Sequence, residues 1–418
     1  MHPGAPCAKS TEYISHIMSF EATSLISSRM RNMRPSLVRE LLKRATSPNI
    51  IPFAGGLPNP AFFPNEELAA ASDAVLRRDG AGVLQYSMSE GYPPLREWIV
   101  ARYKQRFGVE IPLNQVIITS GSQQGLDLIG KVFIEEGQAV AIERPGYQGM
   151  IHALSVYQPR FVGVTLNDDG LDIDDLARVL QAEQPKLLFT CPNYQNPSGI
   201  TYTAANRAAV AEVIARHNTM LIEDDPYSEL GFTNKHAPTF HALLPEQCVA
   251  LGSFSKIAAP GMRLGWLIAP KSVMERFVIA KQATDMHTSN FSQRVLHEYL
   301  MTNPIDAHIE RIQGGYAAQC AAMLRAIEKY FPPGVTWTKP DGGMFVWVTL
   351  PAEADSVAIL DAAIDAGVTF LPGPTFYTDG GGRNQMRLSY SQQNEERIEE
   401  GIKRLAEVIV RHLDGPAH

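Results

Sequence analysis

The sequence predicts an α/β fold: a large, mostly parallel sheet covered by helices, followed by a smaller α+β unit. From Val116 onward, short β-rich runs alternate with helical segments, the pattern of strands buried on both faces of a parallel sheet. From about Ser289 the texture changes to long helices, then to a second set of short strands with helices between and after them. Size agrees: 418 residues, 45% hydrophobic and 19% charged, are enough to bury a large core and favour two domains.

Taken in order, Ser36 to Arg44 has helical periodicity, with Ser36 placed as a cap after Pro35. The run Ile51-Pro52-Phe53-Ala54-Gly55-Gly56-Leu57-Pro58-Asn59-Pro60 is too rich in Pro and Gly for regular structure and reads as a loop. Strands are expected at Val116–Thr119, Ala139–Ile142, Phe161–Val164, Lys186–Thr190, Met220–Glu223, Val249–Gly252 and over the apolar stretch Leu264–Ala269. Helices are expected over Gln123–Ile134, from about Gln148, over Asp174–Leu180 behind an Asp172 cap, and over Ala204–His217 behind Thr203. The long helices end near Tyr330, and Met344–Leu350, Val368–Leu371 and Met386–Tyr390 read as strands. Gly380-Gly381-Gly382 reads as a turn, because a strand rather than a helix follows it. The expected division is an N-terminal extension over 1–35, a helix and loop over 36–63, a large domain over 64–300 and a C-terminal small domain over 301–418.

Composition narrows the function. The formal charge is −7, 37 basic against 44 acidic residues, with no long basic run, so nucleic acid is not an expected partner. No apolar segment has the length to cross a bilayer. Cys7, Cys191, Cys248 and Cys320 are scattered without zinc-like spacing, which fits a reduced, cytoplasmic chain with no metal site. The residues through about Ile17 lack the apolar core of a secretory signal.

The chemistry concentrates at the ends of the expected strands, where α/β sheets place their ligands. Ser253-Phe254-Ser255-Lys256 is followed by Arg263: small hydroxyls and a guanidinium suited to a phosphate, beside an amine able to form an imine. A surface lysine is the ordinary alternative, yet Lys256 sits on a turn between two apolar strands. Thr119-Ser120-Gly121-Ser122-Gln123 turns a strand into a helix, and the free N–H groups there, with Ser122 and Gln123, make an anion site. Its glycines do not follow the dinucleotide order G-x-G-x-x-G. In Pro192 to Gly199, Asn196 is a candidate donor to a phenolic oxygen, although such clusters usually only make turns. In Glu223-Asp224-Asp225-Pro226-Tyr227, Asp224 is the choice to face a protonated ring nitrogen and Tyr227 to reach the ring oxygen, with Asp225 as the rival acid. Tyr147 is placed to stack on a flat ring, while Glu143 and Arg144 read as solvated or mutually paired charges. Arg387, on an otherwise apolar strand, needs a partner: a substrate carboxylate, or a distant structural acid.

Together these motifs resemble the class I/II pyridoxal-phosphate aminotransferases of fold type I, over about Ser36 to Leu413. Phe53 to Pro60, Leu84-Gln85-Tyr86-Ser87, Ser120 to Gln124 and Gly342 to Trp347 resemble more narrowly the 2-aminoadipate/kynurenine aminotransferase subgroup. The resemblance implies Lys256 as the Schiff-base lysine and proton shuttle, Asp224 on the pyridinium nitrogen, and Asn196 and Tyr227 on the ring oxygen. Tyr147 would stack on the ring, and Ser122, Gln123, Ser253, Ser255 and Arg263 would surround the phosphate. Arg387 would hold the substrate α-carboxylate, with Gly56 and Asn196 beside the substrate. Tyr86 would enter the partner's site in a homodimer, and Arg39 on the first helix would read a distal carboxylate, with Arg29, Arg31 and Arg34 close by in sequence.

The implied reaction is ping-pong transamination from an L-amino acid (2-aminoadipate, glutamate, aromatic or branched aliphatic) to a 2-oxo acid such as 2-oxoglutarate. Racemisation or β-elimination on the same fold is the alternative. An aminotransferase-like regulator is disfavoured, because the roughly 35 residues before Ser36 are too few for a DNA-binding domain.

Overall fold

The computed structural model describes residues 21–31, 33, 49–233 and 237–414. The residues before Pro35 form a unit of their own. Its described part holds a 3₁₀ turn at Ala22–Leu25 and one helical turn at Ser28–Arg31, both exposed. The expected helix Ser36–Arg44, and Arg39 with it, lies outside the described residues.

In the main unit the strands in chain order are β1 (Ile51–Pro52), β2 (Val116–Thr119), β3 (Ala139–Arg144), β4 (Arg160–Asn167), β5 (Gly170–Leu171), β6 (Leu187–Thr190), β7 (Met220–Asp225), β8 (Cys248–Ser253), β9 (Gly265–Ile268), β10 (Thr336–Trp337), β11 (Phe345–Thr349), β12 (Val368–Thr369), β13 (Leu371–Pro372) and β14 (Gln385–Ser389). Eight form the large sheet, in the order β2-β9-β8-β7-β6-β3-β4-β5. Neighbours from β8 to β4 are parallel, and β9 runs antiparallel to both β2 and β8. Adjacent residues serve opposite faces: Val140, Ile142, Leu187, Phe189 and Ile222 enter one core, Ala141, Leu188 and Leu221 another. That is why these runs are apolar throughout instead of alternating. The carboxyl ends of β2, β3, β6, β7 and β8 therefore share one edge of the sheet. The start of β9 arrives at the same edge from the opposite direction.

The helix ends follow from their caps. Asp172 accepts from the N–H of Asp175 at 2.9 Å, and Thr203 from that of Asn206 at 3.1 Å, each satisfying a donor that the first helical turn leaves free. In the C-terminal part, β10-β11-β14-β13 form an antiparallel sheet. It is accompanied by the helices Ile305–Tyr330 and Glu395–Asp414, which pack on each other.

Three expectations need correction. The Pro- and Gly-rich run is not wholly loop: β1 pairs in parallel with β12, and Pro60–Phe62 is a 3₁₀ turn. Val368–Leu371 is not one strand, because β12 pairs with β1 while β13 pairs with β14 in a different sheet, with Phe370 buried between them. Glu143 and Arg144 are neither solvated together nor paired. They point to opposite sides of the end of β3, where Glu143 is fully buried and Arg144 binds Asp379 at 2.7 Å. The helices Asn65–Asp79, Pro93–Phe107 and Lys271–Asp285 were not among the expected elements.

Candidate active site

A cavity of about 240 Å³ opens where the carboxyl ends of the central strands meet β14. Gly56, Ser122, Gln123, Tyr147, Asn196, Asp224, Tyr227, Ser253, Ser255, Lys256, Arg263 and Arg387, all singled out from sequence, line it.

One end is built for an anion. Gly121, at φ +82°, precedes the helix Ser122–Phe133 and offers no side chain to cap it, so the first N–H groups stay available. A Cβ at Gly121 would come within 2.7 Å of the Arg263 guanidinium, which fixes glycine there. Among the described residues Arg263 is held by long bonds to two carbonyls, Ser120 at 3.3 Å and Pro260 at 3.4 Å, and keeps donor capacity for a ligand. Ser253 and Ser255 lie on the facing turn, where Ser253 Oγ accepts from the Ser255 N–H at 3.1 Å.

The other end faces a ring and a carboxylate. Asp224 is buried and its Oδ1 has no hydrogen-bond partner among the described residues. Desolvation, then the charges of Asp225 and Glu143, push its carboxyl up to about 8. The rival Asp225 points away, engaged by Asn193 Nδ2 at 2.9 Å and the Ser228 N–H at 3.0 Å. Lys256 Nζ donates to the Gly56 carbonyl at 3.1 Å and lies 5.9 Å from the Tyr227 ring centre. Desolvation, with Arg387 and Arg263 nearby, brings its ammonium down to about 8, within reach of the neutral amine. Arg387 sits in mid-β14, opposite Trp347 and Leu371, with its neighbours Met386 and Leu388 in the core. Its guanidinium donates to Asn196 Oδ1 at 2.7 Å and the Ala54 carbonyl at 2.6 Å, and lies 4.2 Å from the Phe345 ring centre. Its Nε, itself buried, has no partner among the described residues. Burial lowers it to about 10. Since Asn196 accepts from Arg387, its amide N–H groups remain for another oxygen.

A phosphorylated pyridine aldehyde fits these residues: a helix start and a guanidinium for the phosphate, a buried unpartnered carboxylate for a ring N–H, and an amine for the aldehyde. Residues 59–405 match the family Aminotransferase class I and II. The chain belongs to that family. It is a pyridoxal-phosphate aminotransferase of fold type I, near the 2-aminoadipate/kynurenine subgroup. It is 39% identical to aromatic-amino-acid aminotransferase 1 of Thermococcus litoralis over 91% of this chain and 93% of that one. It is 39% identical to Pyrococcus horikoshii kynurenine aminotransferase, whose crystal structure contains PMP, with a TM-score of 0.90 over 94% and 98% of the two chains. The α-aminoadipate aminotransferase of Thermus thermophilus, crystallised with N-(5'-phosphopyridoxyl)-L-leucine, is 37% identical, with a TM-score of 0.88 over 94% and 99%.

Other side chains shape the cavity of this aminotransferase. Leu57, Gly121, Gln148, Cys191, Pro226 and Phe345 line it too, each within or next to a motif already read. Glu143 supports it from behind: the carboxylate accepts from the Cys191 N–H at 2.7 Å, Gln195 Nε2 at 2.9 Å and the Tyr202 hydroxyl at 2.7 Å, bracing the loop that carries Asn196. The signal was the acid's place at a strand end, where a solvated reading competed with burial. Tyr86 is not in the cavity. It is 77% exposed, its ring set edge-on against His287 at 5.8 Å.

Proposed function

We propose that this aminotransferase moves the amino group of an L-amino acid to a 2-oxo acid by a ping-pong sequence. The donors are 2-aminoadipate, glutamate, aromatic or branched aliphatic amino acids, and the acceptor is a 2-oxo acid such as 2-oxoglutarate. The observation that carries the reading is Arg387: a buried guanidinium with spare donor capacity facing the cavity, unpaired with any carboxylate among the described residues.

Arg387 binds the α-carboxylate of each substrate through its planar fork, and Asn196 holds the guanidinium in place. Pyridoxal phosphate, when bound, supplies an aldehyde for amines and a protonated ring that accepts the electron pair of a broken Cα–H bond. Asp224 would keep the ring nitrogen protonated from the buried end of the cavity. Asn196 and Tyr227 would donate to the ring oxygen, Tyr147 would stack on the ring, and Ser122, Gln123, Ser253, Ser255 and Arg263 would hold the phosphate. Lys256 would anchor the cofactor through its Nζ and, as a free amine, would take the substrate α-proton and carry it as an ammonium until it is returned. Its lowered pKa keeps a useful fraction neutral near pH 8. Donor and acceptor carboxylates compete for the same Arg387 fork in one small cavity, so the first product leaves before the second substrate enters.

The enzyme is a cytoplasmic homodimer in this reading. Leu84, Tyr86 and Met88 form an exposed apolar stretch, at 71%, 77% and 49% exposure, that a second copy would cover. Arg39 would read a distal carboxylate.

Lys256→Ala is expected to abolish both transamination and the borohydride-reducible visible absorbance, and persistence of either refutes the assignment. A panel of amino donors against fixed 2-oxoglutarate then ranks the side chains. Arg39→Ala should lower kcat/KM for acidic donors only, and an equal loss for apolar donors would remove it from that role.

A further inference from the structure

The helix Lys271–Asp285 packs beside the helix Ser122–Phe133 and carries a lysine where none is expected. Lys281 is 0% exposed. Its ammonium donates to both oxygens of Asp285 at 2.9 and 3.1 Å, to Thr288 Oγ1 at 2.9 Å and to Gln124 Oε1 at 3.1 Å. Those partners converge on Ser120, the residue just before the Gly121–Ser122 turn. Gln124 Oε1 accepts from the Ser120 N–H at 2.8 Å, and Asp285 Oδ2 accepts from Ser120 Oγ at 3.1 Å and from Gln124 Nε2 at 2.7 Å. The remaining polar group of Ser120, its carbonyl, accepts from Arg263. Thr288 ties the cluster to the end of β2 by donating to the Ile118 carbonyl at 3.3 Å.

A buried ion pair gives little net stability, because desolvating two charges offsets most of their attraction. What this one does give is a turn residue held at its N–H through Gln124 and at its Oγ through Asp285, with its carbonyl left to Arg263. A dianion held by helix N–H groups and one guanidinium needs that precision, since each donor must reach its oxygen at once. We propose that Lys281, with Asp285, is a positioning residue for the cofactor phosphate. It acts through Gln124 and Ser120 to hold the Gly121–Ser122 turn and the Arg263 fork, given that Ser122 and Arg263 bind that phosphate.

The test compares ligands with and without the phosphate. Apoenzyme is titrated with pyridoxal phosphate and with pyridoxal, following fluorescence, for the wild type, Lys281→Met, Lys281→Met/Asp285→Asn, Gln124→Leu and Arg263→Ala. Loss of a charged hydrogen-bond network should weaken pyridoxal phosphate by about 10-fold or more in the Lys281 variants and leave pyridoxal within about 2-fold. The phosphorus NMR line of the bound cofactor should shift in the same variants. The double variant removes the uncompensated Asp285 charge, and Gln124→Leu keeps the ion pair and its bond to Ser120 Oγ while cutting its link to the Ser120 N–H, so a misfolded single variant does not decide the outcome. Wild-type affinity for pyridoxal phosphate in the double variant and in Gln124→Leu overturns the proposal, as does an equal loss for both ligands. If Arg263→Ala also fails to discriminate, the phosphate site itself is misassigned; if Arg263→Ala discriminates and the Lys281 variants do not, only the positioning role falls.

Discussion

Arg207 and Arg387 are both buried, at 0% and 2% exposure, and they teach different things. Arg207 stands behind the sheet with every nitrogen engaged. It donates to the carbonyls of Tyr202, Pro238 and Pro192 at 3.0–3.2 Å and to Asn193 Oδ1 at 2.6 Å, with Glu223 at 3.9 Å. Arg387 lines the cavity with one acceptor on each terminal nitrogen, which leaves each a further N–H, and with no carboxylate among the described residues. Burial lowers the pKa of both. Burial is therefore not what marks a functional arginine. Unused donor capacity facing open space is.

The sharpest way to break this contrast is to remove each guanidinium. Arg387→Gln should cut kcat/KM for amino donors by about 1000-fold, about 4 kcal/mol of transition-state binding, while thermal stability changes little. Arg207→Met should do the reverse. It takes the cation from beside the buried Glu223 and a donor from each of four acceptors, and should cost about 3–5 kcal/mol of stability, with kcat/KM for the folded fraction within about 2-fold of wild type. Kinetics and calorimetry on the two variants decide it: equal kinetic losses would mean that spare capacity is no guide.

The same contrast separates neighbouring acids. Asp225 is bonded on its own side of β7, while Asp224 has an orphan oxygen. Without cofactor, folded Asp224 keeps its proton up to about pH 8, against 3.8 in the unfolded chain. The folded state thus holds the extra proton between those values, and its stability falls as pH rises through that window. Asp224→Asn stays neutral throughout. Its advantage over the wild-type apoenzyme should grow between pH 5 and pH 8 by up to about 4 kcal/mol, read from unfolding midpoints. A difference that does not vary with pH would show that Asp224 is not the strained acid.

Sequence carried much of this because strand ends are legible. Pro, Gly, Asn and Asp mark where β6 and β7 stop, and chemistry-bearing residues cluster just beyond. Asp224 is preferred to Asp225 from the sequence, but the physical reason, which side of β7 each faces, comes only from the fold. Lys281 was invisible for another reason: it belongs to no motif and its helix, Lys271–Asp285, was not expected, so its burial beside the helix Ser122–Phe133 and its pairing with Asp285 emerge only from packing. β12 and β13 merged in the reading because nothing in Val368 to Leu371 says which partner strand each pair meets. Arrangement across distant segments, not local composition, decided all three.

The smallest expected effect tests the contrast at its exposed limit. Arg144 binds Asp379 at 2.7 Å and lies 5.2 Å from the Tyr377 ring centre, with side-chain exposures of 44% and 50% across the pair. Water competes for both charges, so the pair and the ring contact together should contribute about 1 kcal/mol or less. The two residues nonetheless join β3 to the chain after β13, next to the bond from the Gly146 N–H to the Phe376 carbonyl at 2.8 Å. If that backbone bond carries the junction, Arg144→Ala should move the unfolding midpoint by about 2 °C or less and leave KM for amino donors unchanged. A rise in KM without loss of stability would instead mean that this solvated pair sets how closely the β14 side approaches the strand ends. Spare donor capacity would then no longer be the feature that separates functional from structural arginines in this protein.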